Sequence, residues 1–179
     1  IAGLFGAIAV AREYGHGTVV LTFLTTPRRS KAVGAQFAAA FVAGSVLGLV
    51  GAGISAGSVA AGLTATDFGF MVSAADVAQV LAASTLAGGA GAVLGAGLSA
   101  LIRNTGGAVT GTILLLVILP PLAVQMVSET ASWIPGTLTN VVSGIEGATS
   151  VGAAIAAIGL WAIVPAAVGM SAVARRDVV

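Results

Sequence analysis

The 179-residue sequence contains no cysteine, a single histidine, and charged residues at only 7% of its positions. Without cysteine, the chain offers neither disulfides nor thiolate ligands for a metal. A soluble domain carries about 25% charged residues, and a soluble fold with so little charge would leave a large apolar surface in water. Together with the 58% of hydrophobic residues, the scarcity of charge indicates an integral membrane protein.

Residues for catalysis or nucleotide binding are also missing. His16 has no second histidine or cysteine with which to form a metal site or a catalytic pair. No phosphate-binding motif of the form GxxxxGK[ST] occurs, and the glycine-rich residues 88–97 lack a lysine. We therefore predict that this chain does not hydrolyse ATP and that it has no catalytic, cofactor or metal site.

Four stretches are long enough to cross a membrane, because a spanning helix needs about 20 apolar residues. None of them contains Asp, Glu, Lys, Arg or His. The apolar residues 1–11 are expected to be the end of an earlier span, which would make the chain a fragment. The predicted fold class is all-α, a transmembrane helical bundle whose four full spans are residues 32–56, 77–102, 107–127 and 151–173.

The segments between these spans alternate in charge. Residues 12–31, 103–106 and 174–179 hold all seven basic residues, whereas residues 57–76 and 128–150 hold acidic residues and neither Lys nor Arg. Because Lys and Arg accumulate on the cytoplasmic side, we predict a multi-pass protein of the plasma membrane with a cytoplasmic C-terminus. Any single window resembles a buried helix of a soluble protein, but four windows with this alternation favour the membrane interpretation.

Glycines four residues apart are expected to bring the spans together. Lipid tails are as apolar as leucine, so close packing of small residues drives the association of membrane helices. The predicted packing residues are Gly44 and Gly48 in the first full span, and Gly91 and Gly95 in the second. Pairs with the same spacing are Gly53/Gly57 and Gly107/Gly111, although a chain with 26 glycines also produces such pairs by chance.

Prolines predict irregular helices in the second half of the chain. Pro120 and Pro121 in the third span, and Pro165 in the fourth, each remove a backbone donor and are predicted to kink their helices. In the polar segment before the last span, Trp133 is a candidate interfacial anchor. Pro135 favours a short helix through Val142, interfacial or re-entrant.

The complete spans carry no acidic or basic side chain. Proton- and ion-coupled carriers generally need such a group at depth, so a secondary antiporter is the less favoured class of transporter. The earlier span that is expected before residue 12 leaves that alternative open.

Residues 12–31 hold four of the seven basic residues, and they also contain an apolar stretch of their own. Val19, Val20, Phe23 and Leu24 fall on one face of a helix. Thr18 is a candidate helix cap and Pro27 a candidate boundary. We predict a short amphipathic helix at the cytoplasmic face, docked on the bilayer surface or on a partner protein.

The sequence EYGHGTVVLTFLTTPRR resembles the cytoplasmic loop of the type-2 ABC exporter permeases. That family has a Glu, a Gly-Thr pair four residues later, an apolar stretch, and a Pro closely followed by Arg. The family often has a lysine near the start of the next span. In this sequence the same region contains Lys31 and Gln36, which is a modest departure from the family pattern. The matching residues are Glu13, Gly17, Thr18, Phe23 within the apolar stretch, Pro27, Arg28 and Arg29.

The resemblance implies a six-span permease without enzyme activity of its own, of which about four and a half spans are present. Such a permease pairs with a second copy or a homologue and with two cytoplasmic ATPase subunits, which bind ATP and Mg²⁺. Residues 12–31 would dock on an ATPase as a coupling helix, with no nucleic-acid partner. The uncharged spans would suit a hydrophobic or amphipathic cargo such as a drug, lipid or peptide.

Other interpretations remain open from the sequence. The chain is alternatively a secondary multidrug transporter whose loop merely links two spans, or a membrane protein without transport activity. Arg28, Arg29 and Lys31 then only fix the topology at the lipid headgroups.

Overall fold

The computed structural model describes residues 1–15, 29–64, 72–145, 147 and 149–175. All regular structure in these ranges is helical, which confirms the predicted all-α class for the described part of the chain. A π-helical segment (Leu114–Ile118) and a 3₁₀ helix (Ser128–Trp133) lie between longer helices. Those helices are α1 (Ala2–Gly15), α2 (Arg29–Thr64), α3 (Ala74–Ile102), α4 (Thr105–Ile113), α5 (Leu119–Met126), α6 (Pro135–Val142) and α7 (Val151–Arg175).

Four helical stretches are long and apolar enough to cross a membrane: Lys31–Leu63, Ala74–Ile102, Thr105–Met126 and Val151–Val173. They match the four predicted spans closely except in α2, which was expected to end at residue 56. Hydropathy marks the residues that tolerate lipid, whereas a helix continues until a proline or a cap stops it. Neither occurs between residue 56 and Thr64, and α2 reaches about 54 Å, well beyond a hydrocarbon core of about 30 Å.

The central helix of the bundle is α3, which packs against α1, α2, α4 and α7. Its side chains are mostly small, so neighbouring helices approach it closely on several faces. More than half of its most apolar window is buried (56%), against 17–22% for the other three spans. Its buried residues include Gly88, Ala92, Leu94, Gly95, Ala96, Gly97, Ser99 and Ala100.

Both ends of α3 are defined by local hydrogen bonds. Ser73 caps the start: its hydroxyl accepts from the Asp76 backbone N–H at 3.1 Å, and the Asp76 carboxylate accepts from the Ser73 N–H. This capping box is readable from the Ser-x-x-Asp spacing, but it was missed. At the other end Arg103 adopts a left-handed conformation (φ 55°), and Asn104 caps α4 through the Gly107 N–H. A two-residue turn thus reverses the chain.

The helices alternate in direction. α1 runs parallel to α3, since Gly3 packs near Gly91 and the Ala7 carbonyl accepts from Ser99. α7 is also parallel to α3, with Pro165 beside Gly97 and Gly169 beside Ala100. α2 is antiparallel, because Gly44 packs on Gly88 and Gly48 on Ser84. The end of α1, the start of α2, the end of α3 and the end of α7 therefore lie at one end of the bundle.

The stretch from Ser128 to Val142, called here the re-entrant segment, turns back into the bundle. Pro135 and Thr139 line a small cavity with Leu94 and Trp161, which lie well inside their own helices. At the other end of α6, the Val142 carbonyl accepts a 3.0 Å hydrogen bond from Gln79, near the start of α3. The predicted helix from Pro135 to Val142 is confirmed.

The outward faces of α2, the π segment, α5 and α7 are strongly apolar. Exposed side chains include Val42, Val46, Ile54, Val117, Leu122, Leu160 and Ile163. Such a large exposed apolar surface is typical of a protein surrounded by lipid rather than water.

Candidate functional site at the basic end of the bundle

Charged residues lie at the two ends of the bundle. Arg12 near the end of α1, Lys31 near the start of α2 and Arg103 after α3 lie at the same end of the bundle. The first residue of α2, Arg29, and the last residue of α7, Arg175, lie at that end as well. We call this the basic end. Asp76 and Glu129 mark the opposite end, where α3 and the re-entrant segment begin. The assignment of the basic end to the cytoplasmic side rests on the positive-inside rule and stays a prediction.

Glu13 and Gln36 connect α1 and α2, the two helices on either side of residues 13–29, the family-like sequence. The Gln36 side-chain N–H donates to a Glu13 carboxylate oxygen, which joins the last turn of α1 to the second turn of α2. The predicted role of Glu13 was contact with an ATPase. In the structure its carboxylate faces a neighbouring helix, so the residue ties α1 to α2 directly beside the predicted docking segment.

Most of the other predicted coupling residues cannot be placed. Gly17, Thr18, Phe23, Pro27 and Arg28 lie outside the described residues, as does the predicted amphipathic helix. Arg29 is the first residue of α2. The helix boundary predicted at Pro27 likewise falls outside the described residues. The roles of these residues in coupling therefore remain predictions.

A cleft of roughly 570 Å³ lies between α1 and α2 and ends at this link. Its walls are mostly alanine and other apolar side chains, whereas Glu13, Lys31 and Gln36 lie together at the basic end. The side-chain oxygen of Gln36 is shielded from solvent and has no hydrogen-bond partner among the described residues. The cleft therefore has an apolar body and a polar end of mixed charge.

Three of the four predicted packing glycines press on the backbone of another helix. A methyl group at Gly44 would lie 2.5 Å from the Gly88 carbonyl oxygen, and one at Gly48 would overlap the Ser84 carbonyl. One at Gly95 would overlap the Gly3 carbonyl of α1. Gly91 is different, because a methyl there would lie 3.8 Å from the Gly3 nitrogen, an ordinary contact.

Gly6, Gly88 and Gly97 make equally close contacts, although none of them was among the glycine pairs predicted to pack. An added methyl would overlap the Ala92 carbonyl at Gly6 and the Gly44 carbonyl at Gly88, and would lie 2.6 Å from the Ala166 nitrogen at Gly97. For two of them a signal was available, since small residues recur at every fourth position rather than in isolated pairs. These repeats are Ser84, Gly88, Ala92, Ala96 and Ala100 in α3, and Ala2 and Gly6 together with Gly3, Ala7 and Ala11 in α1.

A buried hydroxyl reinforces the packing of α1 on α3. Ser99 is fully buried, and its Oγ lies 2.7 Å from the Ala7 carbonyl and 3.0 Å from the Gly95 carbonyl of its own helix. Ser58, Thr85 and Thr112 bond only the carbonyl four residues earlier, as expected for hydroxyls in spans. Ser99 alone among these four also reaches a second helix.

The prolines occupy two different environments. Pro120 and Pro121 lie in the first turn of α5, directly after the π-helical segment, where the backbone hydrogen-bond pattern changes. Pro165 lies within α7, which continues without interruption from Val151 to Arg175, and its backbone packs against Gly97. The predicted kinks at all three positions remain predictions.

Trp133 is exposed and holds the re-entrant segment to α7. Its backbone carbonyl accepts a 3.0 Å hydrogen bond from the indole N–H of Trp161. Both rings line an apolar groove of roughly 470 Å³ together with Leu115 and Pro165. The anchoring role predicted for the Trp133 ring in a membrane interface remains a prediction.

No metal site is evident among the described residues, where no group of three or more His, Asp or Glu side chains comes together. Comparisons with protein-family models, with curated proteins and with solved structures found no match.

Proposed function

We propose that this chain is the membrane-spanning permease subunit of an ATP-driven ABC exporter, which moves a hydrophobic or amphipathic substrate across the plasma membrane. Two separate ATPase subunits supply the energy, and a second copy or a homologue of the chain completes the permease. The basic end faces the cytoplasm in this proposal, with residues 12–31 docking on an ATPase.

The observation that carries the proposal is that α1 and α2, the helices on either side of the family-like sequence, are held to each other and to α3. Residues 16–28 connect the end of α1 to the start of α2. The Glu13–Gln36 hydrogen bond joins these two helices to each other. Both also pack on the central helix through glycine-to-backbone contacts, which leave no free space between them. A displacement of the docking segment would therefore move α1, α2 and α3 together.

The charge distribution supports an external source of energy. In the described spans, acidic and basic side chains occur near the helix ends, and the long apolar interiors carry none. A proton relay needs ionisable groups at depth. An ATPase that pulls on the basic end needs none, which favours ATP-driven transport over an antiporter in these spans.

Co-purification tests the proposal. The chain is co-expressed with an ABC ATPase subunit that is tested as its partner, and the ATPase retained on the affinity-purified chain is measured. We expect Glu13→Lys and Gly17→Arg to reduce the retained ATPase by about tenfold or more, because opposite charge and bulk at an interface each cost at least about 1.4 kcal/mol.

Two control variants separate docking from other effects. Glu129→Lys makes the same charge change at the opposite end of the bundle and should retain the ATPase. Gln36→Leu breaks the hydrogen bond to Glu13 without changing any charge, so it distinguishes loss of the α1–α2 link from loss of the docking charge. Full retention of the ATPase by both Glu13→Lys and Gly17→Arg would refute the proposed docking.

A further inference from the structure

The cleft between α1 and α2 has the size and shape of a binding site for an elongated molecule. Its volume of roughly 570 Å³ lies within the range of about 300–1,000 Å³ that is typical of small-molecule sites. It extends along α1 from Phe5 to Glu13 and along α2 from Lys31 to Ala43, which is about 12–18 Å of helix. Most of this length is lined by alanine, valine and phenylalanine side chains.

Among the described residues that line the cleft, polar groups occur only at its basic end. Glu13 provides a carboxylate, Lys31 an exposed ammonium group, and Gln36 an amide. The amide nitrogen of Gln36 is bonded to Glu13, whereas its oxygen lacks a donor among the described residues. A buried acceptor without a donor is costly, so an N–H group supplied by a bound molecule would remove this cost.

The position of the cleft indicates where its ligand comes from. Gln36 lies in the second turn of α2, where the basic helix end passes into the apolar span. This is the level at which lipid headgroups meet acyl chains in the cytoplasmic leaflet, given the orientation that the positive-inside rule favours. A molecule of that leaflet reaches the cleft with its apolar part already beside α1 and α2.

We propose that this cleft binds a membrane phospholipid with a primary-amine headgroup, of the phosphatidylethanolamine type. Its acyl chain lies between α1 and α2, its phosphate faces Lys31, and its ammonium group donates to Gln36 and faces Glu13. The two charges of the zwitterionic headgroup thereby match the two opposite charges at the polar end. Phosphatidylcholine has the same charges but no N–H, so the cleft distinguishes the two lipids.

Native mass spectrometry of the purified chain tests this inference without any ATPase, so its outcome is independent of the proposed function. The chain is released from micelles that contain equal amounts of phosphatidylethanolamine and phosphatidylcholine, and the lipid adducts are counted. We expect an excess of phosphatidylethanolamine adducts of about tenfold, the effect of one hydrogen bond to a charged donor.

Paired variants locate the bound lipid. Gln36→Leu should abolish the preference between the lipids, whereas Gln125→Leu, at an exposed position in α5, should keep it. Ala39→Phe fills the cleft and should remove the adducts, whereas Ala38→Phe, exposed on the same helix but outside the cleft, should not.

Equal binding of the two lipids would overturn the proposal, as would a preference that survives both Gln36→Leu and Ala39→Phe. A third outcome would assign the cleft to a second copy of the chain. In that case Ala39→Phe would convert a dimer into a monomer and leave the lipid adducts unchanged, which also overturns the proposal.

Discussion

The two halves of α2 carry glycine pairs with the same spacing and opposite surroundings. Gly44 and Gly48 press on the backbone of α3, so that an added methyl group would displace a carbonyl. Gly53 and Gly57 are exposed, and no described atom lies within 4 Å of an added methyl at either position. The spacing of two glycines thus identifies a helix face with small residues, but not whether another helix covers that face.

The difference follows from the partner helix rather than from α2. Where α2 contacts Ser84, Gly88 and Ala92, the facing residues of α3 are small and recur every four positions. Close approach needs small residues on both helices. The half of α2 beyond Gly48 has small residues of its own, but among the described residues it meets no such partner surface.

The largest effect is expected from two alanine substitutions in α2, which should change the free energy of unfolding in opposite directions. Gly48→Ala should lower the free energy of unfolding by about 1–3 kcal/mol, because α2 must move away from Ser84. Gly57→Ala should raise it by about 0.5–1 kcal/mol, since alanine restricts the unfolded chain and meets open space. Unfolding in mixed micelles with an increasing fraction of SDS measures both.

The same sign for both substitutions would break this comparison. Destabilisation by Gly57→Ala would show that another molecule, such as a second copy of the chain, covers the outer half of α2. Stabilisation by Gly48→Ala would mean that α2 and α3 are farther apart than the contact between Gly48 and Ser84 indicates.

A smaller effect is expected from two serines that differ in the same way. Ser99→Ala removes the hydroxyl that bonds the Ala7 carbonyl of α1, and should cost about 0.6–1 kcal/mol. Ser58→Ala removes a hydroxyl that bonds only its own helix and should change stability by much less. The same unfolding titration compares them, and an equal cost for the two would argue against a bond between α1 and α3.

The smallest expected effect concerns the re-entrant segment, which is held by hydrogen bonds rather than by close glycine contacts. Trp161→Phe removes the indole N–H that bonds the Trp133 carbonyl and should cost about 0.5 kcal/mol. Trp133→Phe keeps that carbonyl and is the matched control. Limited proteolysis between Ser128 and Ile134 provides the measurement: faster cleavage is expected for Trp161→Phe only, and equal rates in the two variants would count against the bond.

The apolar windows and the turn residues were enough to predict much of the fold. The four spans follow from long uncharged runs, and α6 follows from Pro135 at the start of a short helix. The extension of α2 to Thr64 was not predictable from hydropathy, because polarity does not stop a helix. The π-helical segment before Pro120 was also missed, since the width of a helical turn depends on the packing of neighbouring helices.

The candidate site shows a similar division. Glu13 was singled out from the spacing of the family-like sequence, but its contact with Gln36 was not predicted. Their contact depends on how α1 and α2 cross, which is a property of the glycine contacts with α3. Sequence spacing within a single helix therefore could not reveal it.

Site-specific cross-linking tests the central claim most directly, and the absence of native cysteine allows single cysteines to be introduced without background. Phe23→Cys in the docking segment is compared with Val127→Cys beyond α5 at the opposite end, in membranes that also contain the co-expressed ABC ATPase, after treatment with a bifunctional thiol-to-amine reagent. We predict a product with the combined mass of the chain and the ATPase from Phe23→Cys alone. Absence of that product, or equal amounts from both variants, would contradict the assignment of residues 12–31 as the segment that docks on an ATPase.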